Sequence, residues 1–312
     1  MRYSLFSRFR GTLIGALLGA NLAKSGEQTP QAVSEIGKLM LLGTESLISL
    51  GKLDLDDWKQ RQQKELPNFN ISQNMTTEII LATLPVALFF HDNLPKLRLH
   101  LLSTAQLWGD DPVVRDGILA VGYAIALSCS EKLDPQTLIP QIISFVGETP
   151  TSLPKKLLQV HNLLTKHLGL EKAKVELSTE DKISSAIAIA FYCFLSTLED
   201  YRLSVLRAMH QQTRLLPSPI IGAIAGALSG AYNSTAGIPT QWKVLHSSAH
   251  NSTGILVNYL QMLELTDALL TVWSGVYNLS LHPQQLPQEG YIILDKQNSF
   301  SVFAAPRVIR SR

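Results

Sequence analysis

The sequence predicts an all-α protein, a compact bundle of ten or more helices with a short irregular or hairpin C-terminal tail. Three observations predict it. Apolar residues recur at helical rather than alternating spacing through most of the chain. Hydrophobic residues make up 46% and aromatics only 7%, so small aliphatic side chains carry the apolar fraction, which suits close helix packing better than sheets. Asp-Pro and Ser-Pro pairs stand directly ahead of apolar runs, a helix-start signal. Charged residues at 17% and a net charge of +2 exclude a disordered chain and a global field for nucleic acid or membrane. The 312 residues contain no internal repeat and no long linker, so residues 1–280 are read as a single domain and 281–312 as a tail with two short strands packed on it.

The elements follow in order. The first helix runs from about Ser7 to Ala23. Its arginines and short apolar run resemble a signal peptide, but Gly11, Gly15 and Gly19 recur every four residues, which predicts a core helix. The second helix puts Ile36, Leu39, Met40, Leu42, Leu47 and Leu50 on an apolar stripe. "DLDDW" reads as a third start, with acids at the positive end of the helix dipole. "TTEIILATLPVALFF" is apolar and broken by Pro85, which predicts a kink or a fresh start there. "DNLPKLRLHLLSTAQLW" continues the helical pattern. Asp111 is read as a cap with Pro112 just inside the next helix, and Asp134–Pro135 repeats the signal. Leu153 to Leu168 is amphipathic. "STEDKISSAIAIAFYCFLST" opens on a capping-box pattern from Ser178 or Thr179. "LEDYRLSVLRAMHQQ" leads to Ser218, read as an N-cap with Pro219 at the first helical position. A long helix from about Asn251 to Tyr277 ends the domain.

The helix after Pro219 carries Gly222, Gly226 and Gly230. Each glycine costs up to about 1 kcal/mol relative to alanine inside a helix. Three in register require a reason, and the first helix carries the same stripe. The two glycine faces are therefore expected to meet in the core. The two cysteines, Cys129 and Cys193, sit in apolar runs and read as buried free thiols of a cytoplasmic protein. No CxxC, CxxxH or HExxH is present, so a zinc site is not expected.

"RFRGTLIGALLGA", "ESLISLGKLDLDDW", "ATLPVALFFHDN", "DDPVVRDGILAVGYAIAL" and "AIAGALSGAY" followed by "GIPTQW" together resemble the ADP-ribosylglycohydrolase family. The likeness covers most of residues 8 to 245. It implies an all-α fold with two magnesium ions held largely by carboxylates and hydroxyls. In the family these position ADP-ribose and assist hydrolysis of its bond to a protein side chain. Magnesium requires hard oxygen ligands.

The resemblance puts those ligand positions on unsuitable residues. The Gly-Asp pair after the opening helix falls on Ala23 and Lys24. The Thr-Asp-Asp-Thr motif falls on Ser34, Glu35, Ile36 and Gly37, after a loop of about Ser25 to Val33. The Gly-Asn-Gly loop falls near Thr76, Thr77 and Glu78, and the following arginine on Ala82. The histidine turn falls on Trp108 and Gly109, although Asp111 and Pro112 remain. The Asp-Thr-Asp of the metal site falls on Pro217, Ser218 and Pro219. No acid occurs between Tyr201 and Tyr232. Lys24 would also repel two dications by several kcal/mol, on the order of an ε ≈ 20 estimate.

The expected function is a catalytically inactive ADP-ribosylglycohydrolase-like pseudoenzyme that binds or scaffolds a protein partner, with no metal, no nucleic acid and no membrane span. The alternative is a hydrolase, or a protein binding ADP-ribose or another nucleotide, with a rewired, metal-independent cleft. Ser34, Glu35, Glu78, Asp111 and His210 are the candidate residues of a vestigial cleft. Asp110 and Asp111 read equally as helix caps, and His210 as an exposed loop histidine. Lys24 is a candidate anion ligand, and equally a solvated lysine at a helix end. A third reading has the tail after Leu281 recruit the partner.

Overall fold

A computed structural model describes residues 3–23, 30–67, 76–109, 111–178, 181–209, 218–247 and 259–275. These form fifteen α-helices and no strand among the described residues. The tail predicted for 281–312 lies outside them.

The centre of the bundle is the antiparallel pair α1 (Leu5–Ala23) and α13 (Ser218–Asn233). Its register is set by glycine. A Cβ on Gly11 would collide with Gly230 O, one on Gly15 with Gly226 O, and one on Gly19 with Gly222 O. The two backbones touch, as the matching stripes predict. Tyr201 stands over the middle of the seam and donates its hydroxyl to Gly15 O at 3.0 Å. Phe9, Leu13, Ile14 and Leu18 fill the other faces of α1 and are buried.

The remaining helices wrap this pair. α2 (Pro30–Leu50) buries Leu39, Met40, Leu42 and Leu47, whereas Leu50 at its end is 42% exposed. α2 starts at Pro30, so the connection from α1 is shorter than the expected Ser25–Val33. α3 (Leu55–Glu65) is capped by Asp54, whose side chain accepts from Asp57 N at 3.1 Å. α4 (Thr76–Ala82) and α5 (Leu84–Phe89) are separated at Thr83, with Pro85 in the first turn of α5, a fresh start rather than a kink. α6 (Leu94–Leu107) and α7 (Pro112–Cys129) begin at Asn93 and Asp111 caps. α7 is long and apolar enough to cross a membrane, but 83% of it is buried inside the bundle.

Several starts and ends differ from expectation. α8 (Leu138–Val146) begins later than the Asp134–Pro135 signal. The Asp134 carboxylate instead accepts from Gln136 N and Thr137 Oγ1, closing a turn ahead of the helix. α9 (Leu153–Thr165) stops short of Leu168, because His167 takes a left-handed φ of 50°. α10 (Leu170–Leu177) then ends at Ser178, which makes Asp181, not Ser178 or Thr179, the cap of α11 (Lys182–Ser196). Ser218 is the first residue of α13 rather than a residue ahead of it. After α12 (Tyr201–Met209) and α13, "TQWKVLHS" is itself a helix, α14 (Thr240–Ser247), and α15 (Tyr259–Trp273) ends before the expected Tyr277, residues 251–258 of the expected helix lying outside those described. Trp273 packs against His91 and Phe9, fixing the end of α15 to α5 and α1.

Candidate functional site

Contacts along the bundle give the direction of each helix. Gly117 of α7 lies against Ile80 of α4 and Ile187 of α11, and Gly122 against Ala87 of α5. The Asn233 side chain at the end of α13 donates to Leu198 O, just past α11. Arg8 reaches carbonyls at the ends of both α7 and α13. So α4, α7, α11 and α13 run the same way, antiparallel to α1, and start at the end where α1 finishes. This end holds the starts of α4, α7 and α13, on which Glu78, Asp111 and Ser218 lie. Helix starts gathered there direct unpaired N–H groups and positive dipole ends the same way.

Asp111 is placed in detail. Its carboxylate accepts from Val113 N at 2.8 Å and Val114 N at 3.3 Å, so it is committed to capping α7. Glu78 lies in the first turn of α4, Ser34 and Glu35 in the early turns of α2, and Ser218 opens α13 with Pro219 in its first turn. The side chains of Ser34, Glu35, Glu78 and Ser218 lie outside what the structure describes, as do Lys24, Asp110, His210 and Pro217 altogether. Among the described residues, no three His, Cys, Asp or Glu side chains gather closely enough to hold a metal ion.

Two buried polar networks at this end were missed by the sequence reading. Asp116, in the first half of α7, is 1% exposed. One carboxylate oxygen accepts from Thr149 Oγ1 at 2.5 Å and Thr151 Oγ1 at 2.6 Å, while Arg115 Nε approaches the other at 3.5 Å. This ties the loop before α9 onto α7. Beside it, buried Lys156 of α9 donates to Leu177 O at 2.9 Å and Ser185 Oγ at 2.8 Å. Asp181 accepts from Ser152 Oγ at 2.5 Å and caps α11 through Ser184 N at 3.1 Å.

Burial is the largest influence on both ionisable groups. It pushes the Lys156 ammonium below its usual range, partly opposed by Asp181. For Asp181 burial acts upward, but the Ser152 and Ser184 hydrogen bonds and Lys156 together hold the carboxyl below its usual value. A Ser-Lys pair at this distance has the geometry of an activated nucleophile. Ser185 is 0% exposed, however, and donates its own proton to Asp181 O at 2.7 Å, so the pair holds three helices together. A signal for Lys156 was present: it stands on the apolar stripe Leu153, Leu157, Val160, Leu163 of α9. Both cysteines are buried free thiols, pushed up to about 12 by desolvation, and offer no thiolate chemistry.

The comparisons with known proteins agree with this architecture. The ADP-ribosylglycohydrolase family profile matches residues 1–278. A solved structure described as an ADP-ribosylglycohydrolase-related protein complex superposes with a TM-score of 0.62 at 15% identity, covering 86% of this chain and 99% of the other. At that identity the likeness is one of fold. No curated protein matches. The all-α fold and the family profile, which spans most of the chain, lead to one statement of kinship: this chain belongs to the ADP-ribosylglycohydrolase family.

Proposed function

We propose that this chain is a member of its family that does not carry out di-magnesium hydrolysis and instead binds or scaffolds a protein partner. The observation that carries the reading is the entrance to α13. Where the resemblance puts Asp-Thr-Asp, the sequence has Pro217, Ser218 and Pro219, and no acid occurs between Tyr201 and Tyr232. Proline has no side-chain donor, and Ser218 alone is a single neutral oxygen, which does not fit a hard dication. Asp111, the best-placed acid, is already spent on capping. A helix entrance of this kind terminates a structural element rather than building a ligand shell. The similar solved structure is described as a protein complex, which supports assembly as the role. The buried free thiols fit a cytoplasmic setting. The family match stops at residue 278, which supports a separate tail from 281.

The shared start of α4, α7, α11 and α13 favours a second reading, metal-independent binding of an anionic group such as the diphosphate of ADP-ribose. Calorimetric titration with ADP-ribose, with and without magnesium, and a hydrolysis assay on an ADP-ribosylated peptide separate the two. The scaffold reading expects no turnover and no magnesium-dependent heat. Metal-independent binding without turnover would favour the second reading, and magnesium-dependent turnover would overturn both.

A further inference from the structure

A groove of about 350 Å³ lies between α6, α7 and α8, lined by Leu94, Arg98, Tyr123, Gln141, Ser144 and Phe145. It is remote from the starts of α7 and α13. Tyr123 is twelve residues beyond the Asp111 cap, about 18 Å along the helix axis. Its base is aromatic: the Tyr123 and Phe145 rings stack at 4.4 Å with their planes 27° apart. Leu94, partly buried, adds an aliphatic side.

The polar groups around that base are held in place. Arg98 Nε donates to Phe145 O at 3.0 Å and its Nη2 to Val146 O at 3.2 Å. The guanidinium thereby satisfies the last carbonyls of α8 and complements the negative end of its dipole. Those two bonds lock the plane of the fork and leave Nη1 and one Nη2 hydrogen uncommitted. Arg98 makes no ion pair among the described residues. Tyr123 is 8% exposed and lines the groove, and its hydroxyl makes no hydrogen bond among the described residues. Burial raises its pKa, so it remains a donor at neutral pH. The Ser144 hydroxyl also lacks a partner among the described residues. Gln141 donates to Thr137 Oγ1 at 3.2 Å, leaving its carbonyl open.

We propose that this groove is a binding site for a carboxylate carried on an apolar or aromatic body, with the carboxylate on the free edge of Arg98 and the Tyr123 hydroxyl, and the body on the Tyr123–Phe145 stack. A planar guanidinium fork with one edge anchored matches two carboxylate oxygens better than a mobile lysine would. The apolar base excludes a bare inorganic anion as the best ligand, because the stack would then stay exposed to water. Two sources carry this chemistry: a free small acid, or the terminal carboxylate of a polypeptide ending in an aliphatic or aromatic residue. The site stands independently of the reading proposed for the entrance to α13.

The test is calorimetric titration of the full chain with 3-phenylpropionate, with a tetrapeptide ending in Leu-Phe, with the C-terminal amides of both, and with inorganic phosphate. The free acids, or one of them, are expected to bind at least about tenfold more tightly than their amides, the size of a lost charged hydrogen bond. Binding of the small acid assigns the source to a free metabolite-sized ligand, and binding of the peptide alone assigns it to a chain end. Arg98→Gln is expected to abolish the preference for acid over amide. Because Arg98 also holds the end of α8, Tyr123→Phe serves as the second variant. It preserves the stack and should weaken the acid about three- to tenfold and the amide by less, because a charged acceptor loses more than a neutral carbonyl. Equal binding of acid and amide, binding of phosphate alone, or no binding would overturn the proposal.

Discussion

At the end of the bundle where α7 and α13 stop, a single buried cation gathers the chain. Arg8 donates to Ser128 O at 2.8 Å, Ala231 O at 3.3 Å and Tyr232 O at 3.2 Å, and pairs with Glu131 at 3.0 Å. At the opposite end, where those helices start, carboxylates do the equivalent work one helix at a time: Asp111 caps α7 and Asp181 caps α11. The signs are those the helix dipole requires. The two ends differ in what closes them. At the Arg8 end one guanidinium takes backbone carbonyls from the ends of both α7 and α13, whereas at the starting end α7 and α11 carry separate caps and Lys156 joins α9, α10 and α11. At the starting end Asp111, Asp116 and Asp181 are each taken up in structural hydrogen bonds.

The largest effect is expected at the seam that joins the two ends. Gly226→Leu should give no folded protein by circular dichroism, and Gly226→Ala should lower unfolding free energy by about 3 kcal/mol or more, because even a Cβ meets Gly15 O. A stable Gly226→Leu protein would dissolve the seam as the organising feature. Next is Arg8→Met. Removing a buried guanidinium strands its carbonyls and Glu131, with an expected loss of about 2–4 kcal/mol in urea unfolding. A loss no greater than that of a single cap would erase the difference between the ends. Asp111→Ala, at the starting end, should cost about 1 kcal/mol, the size of one N-cap. If Asp111 also carried chemistry, the substitution would change ligand binding beyond that loss of stability.

The smallest effect at neutral pH is electrostatic. The Asp181 carboxyl is held below its usual range in the folded protein. The native state therefore binds that proton less readily than the unfolded chain. Its stabilisation is complete above the unfolded value of about 3.9, and is lost as pH falls through the folded value. Asp181→Asn should flatten the acid limb of the urea midpoint measured against pH. Lys156 acts in the opposite range: its folded pKa is depressed by burial, so the penalty for its charge is full at low pH and is relieved as pH rises through the folded value toward about 10.4. An unchanged acid limb in Asp181→Asn would remove the network as a source of pH dependence.

Much of the fold was legible in the sequence because its signals are local. Cap chemistry at Asp54 and Asp111 sits within three residues of the N–H groups it serves. The glycine stripes of α1 and α13 announce close approach by their spacing. Where the reading slipped, a neighbouring side chain competed for the same role: Asp134 closed a turn instead of starting a helix, and Asp181 displaced Ser178 and Thr179 as the cap of α11. The candidate site was legible only as residue identities at matched positions. Sequence places Asp111 and Ser218 at helix starts and Glu78 only by the resemblance, and says nothing about the direction in which those helices run.

Most of the helices, the two glycine faces and the lack of acids around the entrance to α13 can be read from the sequence alone, because periodicity, capping and side-chain chemistry are properties of short stretches. Tertiary structure decided which distant groups share a charge or a proton. Arg8 meets Ser128 and Ala231, 120 and 223 residues away, and Asp116 meets Thr149 and Thr151, 33 and 35 residues away. Lys156 on an apolar stripe was a visible anomaly, but its partners at Leu177 and Ser185 were not. Such pairs exist only once packing has fixed the register of one helix on another, as the close-packed glycine seam fixes α1 on α13 for Arg8, and no local preference of the residues brought together sets that register.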